Sequence, residues 1–266
     1  MKGRLLLLGA LACALAAGPA QARRWLVTVG ARVSSNPPYI GADHAVTSGA
    51  PTLVVMPFND FHRFSPPGDG STFAIVSTQH VSFGPMLRLQ RGRDDEEGLP
   101  GLRKIDRAIE PGVFVELWPW SWLRARAEVR RGVHGSEGWA GDGGLDLVYS
   151  HGRWDASVGP RIGFGDVRYM NTYFGVSAAE AARSPVFNAP YSPGGGHRST
   201  ELRGAVTYRF DRHWQASVDF VYERLSSKAA DSPIIQIAGS RHQYSEGLSI
   251  NYSFGVGRSR TREGAN

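Results

Sequence analysis

Apolar and polar residues alternate one for one along much of this chain. Between Trp122 and Arg131 one face carries Leu123, Ala125, Ala127 and Val129, and the other carries Arg124, Arg126, Glu128 and Arg130. A helix, at 3.6 residues per turn, would mix these two sets, whereas a strand sends successive side chains to opposite faces and keeps them apart. The same alternation runs through Trp154–Phe164, Trp214–Tyr222 and Tyr244–Phe254. Weaker versions cover 24–33, 51–58, 59–65, 71–78, 80–90, 111–119, 139–150 and 198–209, so the pattern predicts twelve strands.

The polar face identifies the kind of sheet. A water-soluble sandwich would show Lys, Thr and Glu to solvent, but here that face is rich in Gly, Ser, Asp and Arg. The only lysines are Lys2, Lys104 and Lys228, none of them in a predicted strand. Arginine with Asp or Glu suits a confined interior, because its planar fork stays charged and can bind carboxylates bidentately. Connection lengths point the same way. Tight turns fall at 119–121, 151–153 and 211–213, and long connections fall near 91–110, 165–197 and 225–241. This is the asymmetry of a transmembrane β-barrel with short periplasmic turns and long extracellular loops. An even strand count, with 59–65 as a strand, places both ends of the barrel in the periplasm. Trp25, Trp118, Trp120, Trp122, Trp154 and Trp214 then all fall at the turn end, as an interfacial aromatic girdle would. Trp139 falls at the other.

Composition narrows the picture further. Thirty-three glycines, one cysteine and 20% charged residues exclude a coiled coil, a helical bundle and a disulfide scaffold. Lys2 and Arg4, the apolar run Leu5–Ala17 and the small-residue site Ala20-Gln21-Ala22 read as a cleaved signal peptide over 1–22. That run is too short to span a bilayer as a helix, which takes ~20 residues. Cys13 lies inside the leader, and a lipoprotein reading there is weaker than cleavage after Ala22. Removing Lys2 and Arg4 takes the net charge from +6 to +4. The expected organisation is leader 1–22, barrel 23–254, and a basic periplasmic tail over 255–266. Dispersed arginines facing acidic partners form no basic stripe, so nucleic acid is excluded as a partner.

The alternation places Arg24, Arg32, Arg88, Arg124, Arg126, Arg130, Arg161, Arg203 and Arg209 in the lumen. Against them stand Glu116, Glu128, Asp142, Asp146, Asp155, Glu201, Asp219 and Glu223. A balanced set favours a salt-bridged, closed interior over an open pore, which would show one sign of charge; a narrow channel is the alternative. Asp94–Glu97 reads as a solvated loop with divalent-cation binding as the other reading, and Arg103–Arg107 could meet the phosphates of lipopolysaccharide. Ser177-Ala178-Ala179-Glu180 reads as a capping box opening a short helix through Ala182, in a loop that is either a lid or a partner site. Catalysis is disfavoured. His80, His151 and His213 fall at turns, His44, His62, His134, His197 and His242 fall on the loop side, and neither Gly-x-Ser-x-Gly nor His-Glu-x-x-His occurs. No cofactor or metal site is expected.

Several motifs carry a family resemblance. They are Tyr39-Ile40-Gly41 after the first strand, Pro57 in the second, Phe83-Gly84-Pro85 leading to Gly92-Arg93, and Asn171-Thr172-Tyr173-Phe174-Gly175-Val176-Ser177 followed by the Ala-rich run 178–182. With these the chain resembles the MipA/OmpV outer-membrane proteins (MltA-interacting protein) over essentially Arg23 to Phe254. It departs from them in reading Gly41-Ala42 where Gly-Ser is usual, and in continuing past the terminal aromatic Phe254. The resemblance implies an adaptor between a lytic transglycosylase and a murein synthase, set in outer-membrane lipid. A narrow channel or permeability and adhesion factor is the second reading, and a surface lipid hydrolase is the third.

Overall fold

The computed structural model describes residues 25–57, 66, 68–94 and 99–256. The leader 1–22 and the residues after Val256 lie outside this set. Ten strands of nine or more residues form the wall: β1 (Trp25–Asn36), β2 (Val46–Pro57), β5 (Val81–Gln90), β6 (Ala108–Trp120), β7 (Leu123–Arg131), β8 (Trp139–His151), β9 (Trp154–Gly165), β10 (Gly196–Arg209), β11 (Trp214–Leu225) and β12 (His242–Val256). Two short strands, β3 (Ser71–Thr72) and β4 (Val76–Ser77), complete a twelve-stranded antiparallel sheet. β1 pairs with β2, consecutive strands pair from β5 to β12, β3 and β4 both pair with β5, and β1 also pairs with β12 from Trp25↔Val256 to Ser35↔Glu246. First and last strands so joined curl the sheet into a nearly closed barrel, with the remaining seam between β2 and β3.

One predicted strand differs from this outcome. The segment 71–78 is interrupted, pairing with β5 at Ser71↔Leu87 and again at Val76↔Phe83. The sequence has Gly84-Pro85 on the partner strand, and proline has no N–H to give a ladder. Residues 59–65 lie outside the described residues.

Period-2 patterning sets the faces. On β7, Arg124, Arg126, Glu128 and Arg130 are buried, while Val129 is half exposed on the outside. Along β6 the buried positions are Glu110, Phe114 and Trp118, and Val113, Val115 and Leu117 face outward. Exposed large apolar side chains such as Leu53, Val113, Leu147, Val158, Val218 and Leu248 cover much of the outer surface. A surface of this kind is costly in water and stable against hydrocarbon. Among the described residues no helix is long and apolar enough to cross a membrane.

The main apolar core sits at one end of this wall. The turn end is closed by connections such as Ser121-Trp122 and Gly152-Arg153. At the loop end, four helices fold over the mouth: α1 (Val167–Phe174), α2 (Ala178–Arg183), α3 (Ser227–Ala230) and α4 (Pro233–Ala238). Tyr39, Leu102, Met170, Phe174, Phe187 and Ile234 belong to one buried cluster that ties these helices to the β1–β2 and β5–β6 loops. α3 and α4 were not legible as helices in the pattern, being too short for a period. Their starts are fixed by Ser226 and Ser232, whose hydroxyls accept from backbone N–H groups, and by Pro233 in the first turn.

Leu145 is half exposed at the middle of β8, so an arginine there must enter the centre of the hydrocarbon. Leu145→Arg is expected to cost about 2–4 kcal/mol, and Tyr149→Arg near the turn end about 1 kcal/mol or less. Equilibrium urea unfolding from phospholipid vesicles measures both, and equal costs would refute the outward band.

Candidate functional site

The interior is organised by one circuit of charge. Arg124 is fully buried on β7 and donates to Asp69 at 2.5 Å, Glu116 at 2.6 Å and Asp146 at 2.8 Å. Glu116 also accepts from Arg126, which reaches Glu128 at 3.0 Å. Glu128 accepts from Arg130, which binds Asp142 at 2.5 Å and Glu110 at 3.0 Å. Asp142 meets Arg198 at 2.7 Å, Arg198 approaches Glu201 at 3.7 Å, and Glu201 pairs with Arg203 at 2.7 Å. Arg203 returns to Asp69 at 3.7 Å. Five arginines and five carboxylates thus alternate around a closed ring contributed by β6, β7, β8, β10 and the loop before β3. Arg161 on Asp146 at 2.7 Å and Arg88 on Glu128 at 2.8 Å are spurs of it.

Two further pairs stand apart. Arg32 binds Asp219 bidentately at 2.6 and 2.7 Å, and Arg209 pairs with Asp155 near the turn end. Glu223 has no ion pair among the described residues, and Arg24 lies outside them.

Two ring members, Arg198 and Asp69, and the Arg130 partner Glu110 are not given by the alternation. Glu110 lies just before the predicted start of its strand. Arg198 is out of phase because the register shifts between His197 and Ser199, a bulge that buries both Arg198 and Ser199. Asp69 belongs to no strand. Its flanking glycines, Gly68 and Gly70, both have positive φ, at 97° and 77°, and this tight reversal turns the carboxylate into the lumen. The Gly-Asp-Gly triplet was the available signal.

The girdle tryptophans divide. Trp120, Trp122, Trp154 and Trp214 are about half exposed on the outside, and Trp25 is partly exposed at the start of β1. Trp118 is 5% exposed and shares the inner face of β6 with Phe114, so it is not part of an outward belt. Trp120 stacks on Trp122 at 5.4 Å, and Trp154 packs on Tyr208 at 4.6 Å.

The loop motif builds the cap over the ring. Asp166 caps α1 by accepting from the Tyr169 N–H, and Tyr173 and Phe174 enter the apolar cluster. Asn171 accepts from Arg103 on its carbonyl and from Ser192 on its side chain. Gly175 ends α1 where a Cβ would press on the Asn171 carbonyl oxygen at 2.5 Å, so any larger residue there displaces backbone. Ser177 opens α2 with the expected capping box to Glu180, and the helix runs one residue past the expected end. Burial opposes ionisation of Glu180, but hydrogen bonds from Ser177 and from the Arg103 N–H outweigh it and hold the carboxyl below its ordinary value. Cap and ring touch where Arg198 donates to the Tyr169 hydroxyl at 3.2 Å, and burial pushes that hydroxyl up to about 12.

Between ring, cap and the Arg32–Asp219 pair lies a cavity of about 650 Å³. Arg32, Arg88, Arg91, Arg130, Arg198 and Arg203 all contribute to its wall. Among the described residues no group of three His, Cys, Asp or Glu has metal-binding geometry. Three histidines make structural contacts: His80 with the Trp118 carbonyl, His213 with the Ser253 carbonyl and His242 with the Tyr222 hydroxyl. Of the acidic run 94–97, Asp94 pairs with Lys104 at 3.0 Å and the rest lies outside the described residues.

A family model described as MltA-interacting protein MipA matches residues 29–254. Comparison with curated proteins finds no match. Among solved structures, the chain is similar to an outer membrane channel from Pseudomonas putida F1, with 11% identity and a TM-score of 0.43 over 90% of this chain and 97% of that one. It is also similar to a KdgM porin, with 8% identity and a TM-score of 0.32 over 88% and 99%. The outer membrane channel DcaP of Acinetobacter baumannii gives 10% identity and a TM-score of 0.33 over 90% and 100%. At these TM-scores the likenesses carry no argument, and the barrel is established by its strand register.

Replacing Arg124 by Met takes a shared partner from Asp69, Glu116 and Asp146 at once, and the expected loss of stability is about 3–5 kcal/mol. Arg168→Met, whose pair with Glu137 is exposed on both sides, is expected to cost about 1 kcal/mol or less. Urea unfolding compares the two, and similar costs would remove the ring as the organising element. For Glu180, the lowered folded value means its contribution is complete above the unfolded glutamate value of ~4.3 and disappears as pH falls through the folded one. Amide exchange at Ser177 and Arg103 is therefore expected to accelerate on acidification in the native protein and to be pH-independent, after correction for intrinsic rates, in Glu180→Gln.

Proposed function

The chain belongs to the MipA family, described as MltA-interacting protein, and from that premise we propose that it is a bacterial outer-membrane barrel acting as a non-catalytic scaffold for murein turnover and synthesis. The partner named in the family description, MltA, is a lytic transglycosylase, and a murein synthase is the second partner we assign. Export by a leader cleaved after Ala22 and a periplasmic tail beyond Phe254 complete the organisation.

One observation carries the reading: the loop end is covered by helices with an apolar core, and the lumen beneath is crossed by a neutralised charge ring. Solute passage needs a continuous aqueous path, and a folded cap over paired charges disfavours one, which supports action through the protein's surfaces. At the turn end, Arg153 and Arg212 are exposed on otherwise short connections, and a basic rim suits an acidic partner surface. The 650 Å³ cavity favours the second reading, a narrow channel or permeability factor.

Tagged protein extracted in mild detergent is expected to co-purify with a periplasmic murein hydrolase or synthase. Arg153→Glu combined with Arg212→Glu is expected to lower that capture at least tenfold. Planar-bilayer recording of the native protein is expected to show no conductance steps. Steps together with an absence of captured murein enzymes would replace the scaffold by the channel.

A further inference from the structure

Among the described residues, the cavity beneath the cap contains cations short of counter-charge. Its wall carries six arginines against three carboxylates, Glu201, Asp219 and Glu223. Two of those carboxylates are committed, Glu201 to Arg203 and Asp219 to Arg32. Among the arginines, Arg130 and Arg198 draw on ring acids as well. Arg88 does not. Its one carboxylate partner among the described residues is Glu128, at 2.8 Å, and Glu128 is shared with Arg126 and Arg130. One carboxylate therefore serves three guanidiniums, and the buried Nε of Arg88 has no hydrogen-bond partner.

Arg91 is poorer still. It donates to the Pro37 carbonyl at 2.8 Å and has no carboxylate within ion-pair distance among the described residues. Burial, and then the like charge of Arg107, hold its guanidinium below the ordinary value while leaving it cationic. A half-buried arginine with only a neutral acceptor is costly unless an anion completes it.

We propose that this cavity binds an anion bearing a carboxylate or phosphate group, held by Arg88 and Arg91. Arginine's planar fork matches both groups, which offer paired oxygens to parallel N–H donors. The volume lies within the ~300–1,000 Å³ usual for small-molecule sites. Leu87 and Leu89 also contribute to the wall, and they are 42% and 74% exposed on the outer face. The anion is thus either a free solute or the headgroup of a lipid whose chains lie along that face. This inference does not depend on the scaffold reading, since a scaffold and a channel could each hold such a ligand.

The test uses the full mature chain in two arms. Calorimetric titration in zwitterionic detergent uses inorganic phosphate and succinate as free anions. Native mass spectrometry from nanodiscs compares phosphatidylglycerol with phosphatidylcholine. Saturable binding is expected in at least one arm, and which arm responds identifies the source. Arg88→Gln and Arg91→Gln are each expected to weaken it at least tenfold, with Arg91→Gln still folding cooperatively because that residue holds no ion pair among the described residues. If Arg88→Gln does not fold, Arg91→Gln decides alone. Absence of binding in both arms, or binding indifferent to the substitutions, would overturn the proposal.

Discussion

The guanidinium of Arg124 has no exposed surface and touches three carboxylates. Removing a charge from water costs several kcal/mol even after relaxation, and close pairing with carboxylates is what offsets it. That requirement shapes the interior. It sets strand neighbours so that Arg124 and Asp146, or Glu116 and Arg126, stand directly opposite one another in the register. It also explains part of the glycine content. A Cβ at Gly247 would collide with the guanidinium of Arg32, and one at Gly144 with the side chain of Arg161. Glycine on the inner face makes room for arginine.

A barrel arranged this way inverts the usual soluble protein. The wall is apolar outside and ionic inside, so the strands cannot supply a conventional core. The buried apolar cluster has to be built elsewhere, and the long loops build it at the mouth. Phe174, Ile234 and Leu225 have no exposed surface there, and Ser232 donates to the Phe174 carbonyl to lock α4 against α1. The ring and the cap meet at the contact of Arg198 with Tyr169, which makes the state of the loops depend on the lumen. The seam of the sheet and the undercompensated Arg88 and Arg91 lie on the same side of the cavity, where exposed Leu87 and Leu89 continue the outer band.

Most of the wall was legible from alternation alone. Long strands such as β7 and β9 repeat the period often enough to fix both their limits and their faces, and the capping box of α2 is a local pattern needing only four residues. The failures share a cause. Trp118 was assigned by its position along a strand, whereas its face is decided by parity with Glu116 and Phe114. Arg198 was lost because a one-residue bulge reverses the phase. Asp69 was lost because a loop has no phase, and its inward direction comes from a turn with two left-handed glycines.

Sequence by itself therefore determined the architecture: an antiparallel barrel with an apolar exterior, an arginine and carboxylate interior, short turns at one end and long loops at the other. It could do so because side-chain direction in a strand is a local property with period two. Only the tertiary structure decided that the charges close into a ring through Asp69, that the loops condense into an apolar cap, and that Arg88 and Arg91 are left facing a cavity. Those outcomes depend on distances between residues far apart in the chain. Local periodicity carries no information about which carboxylate reaches which guanidinium.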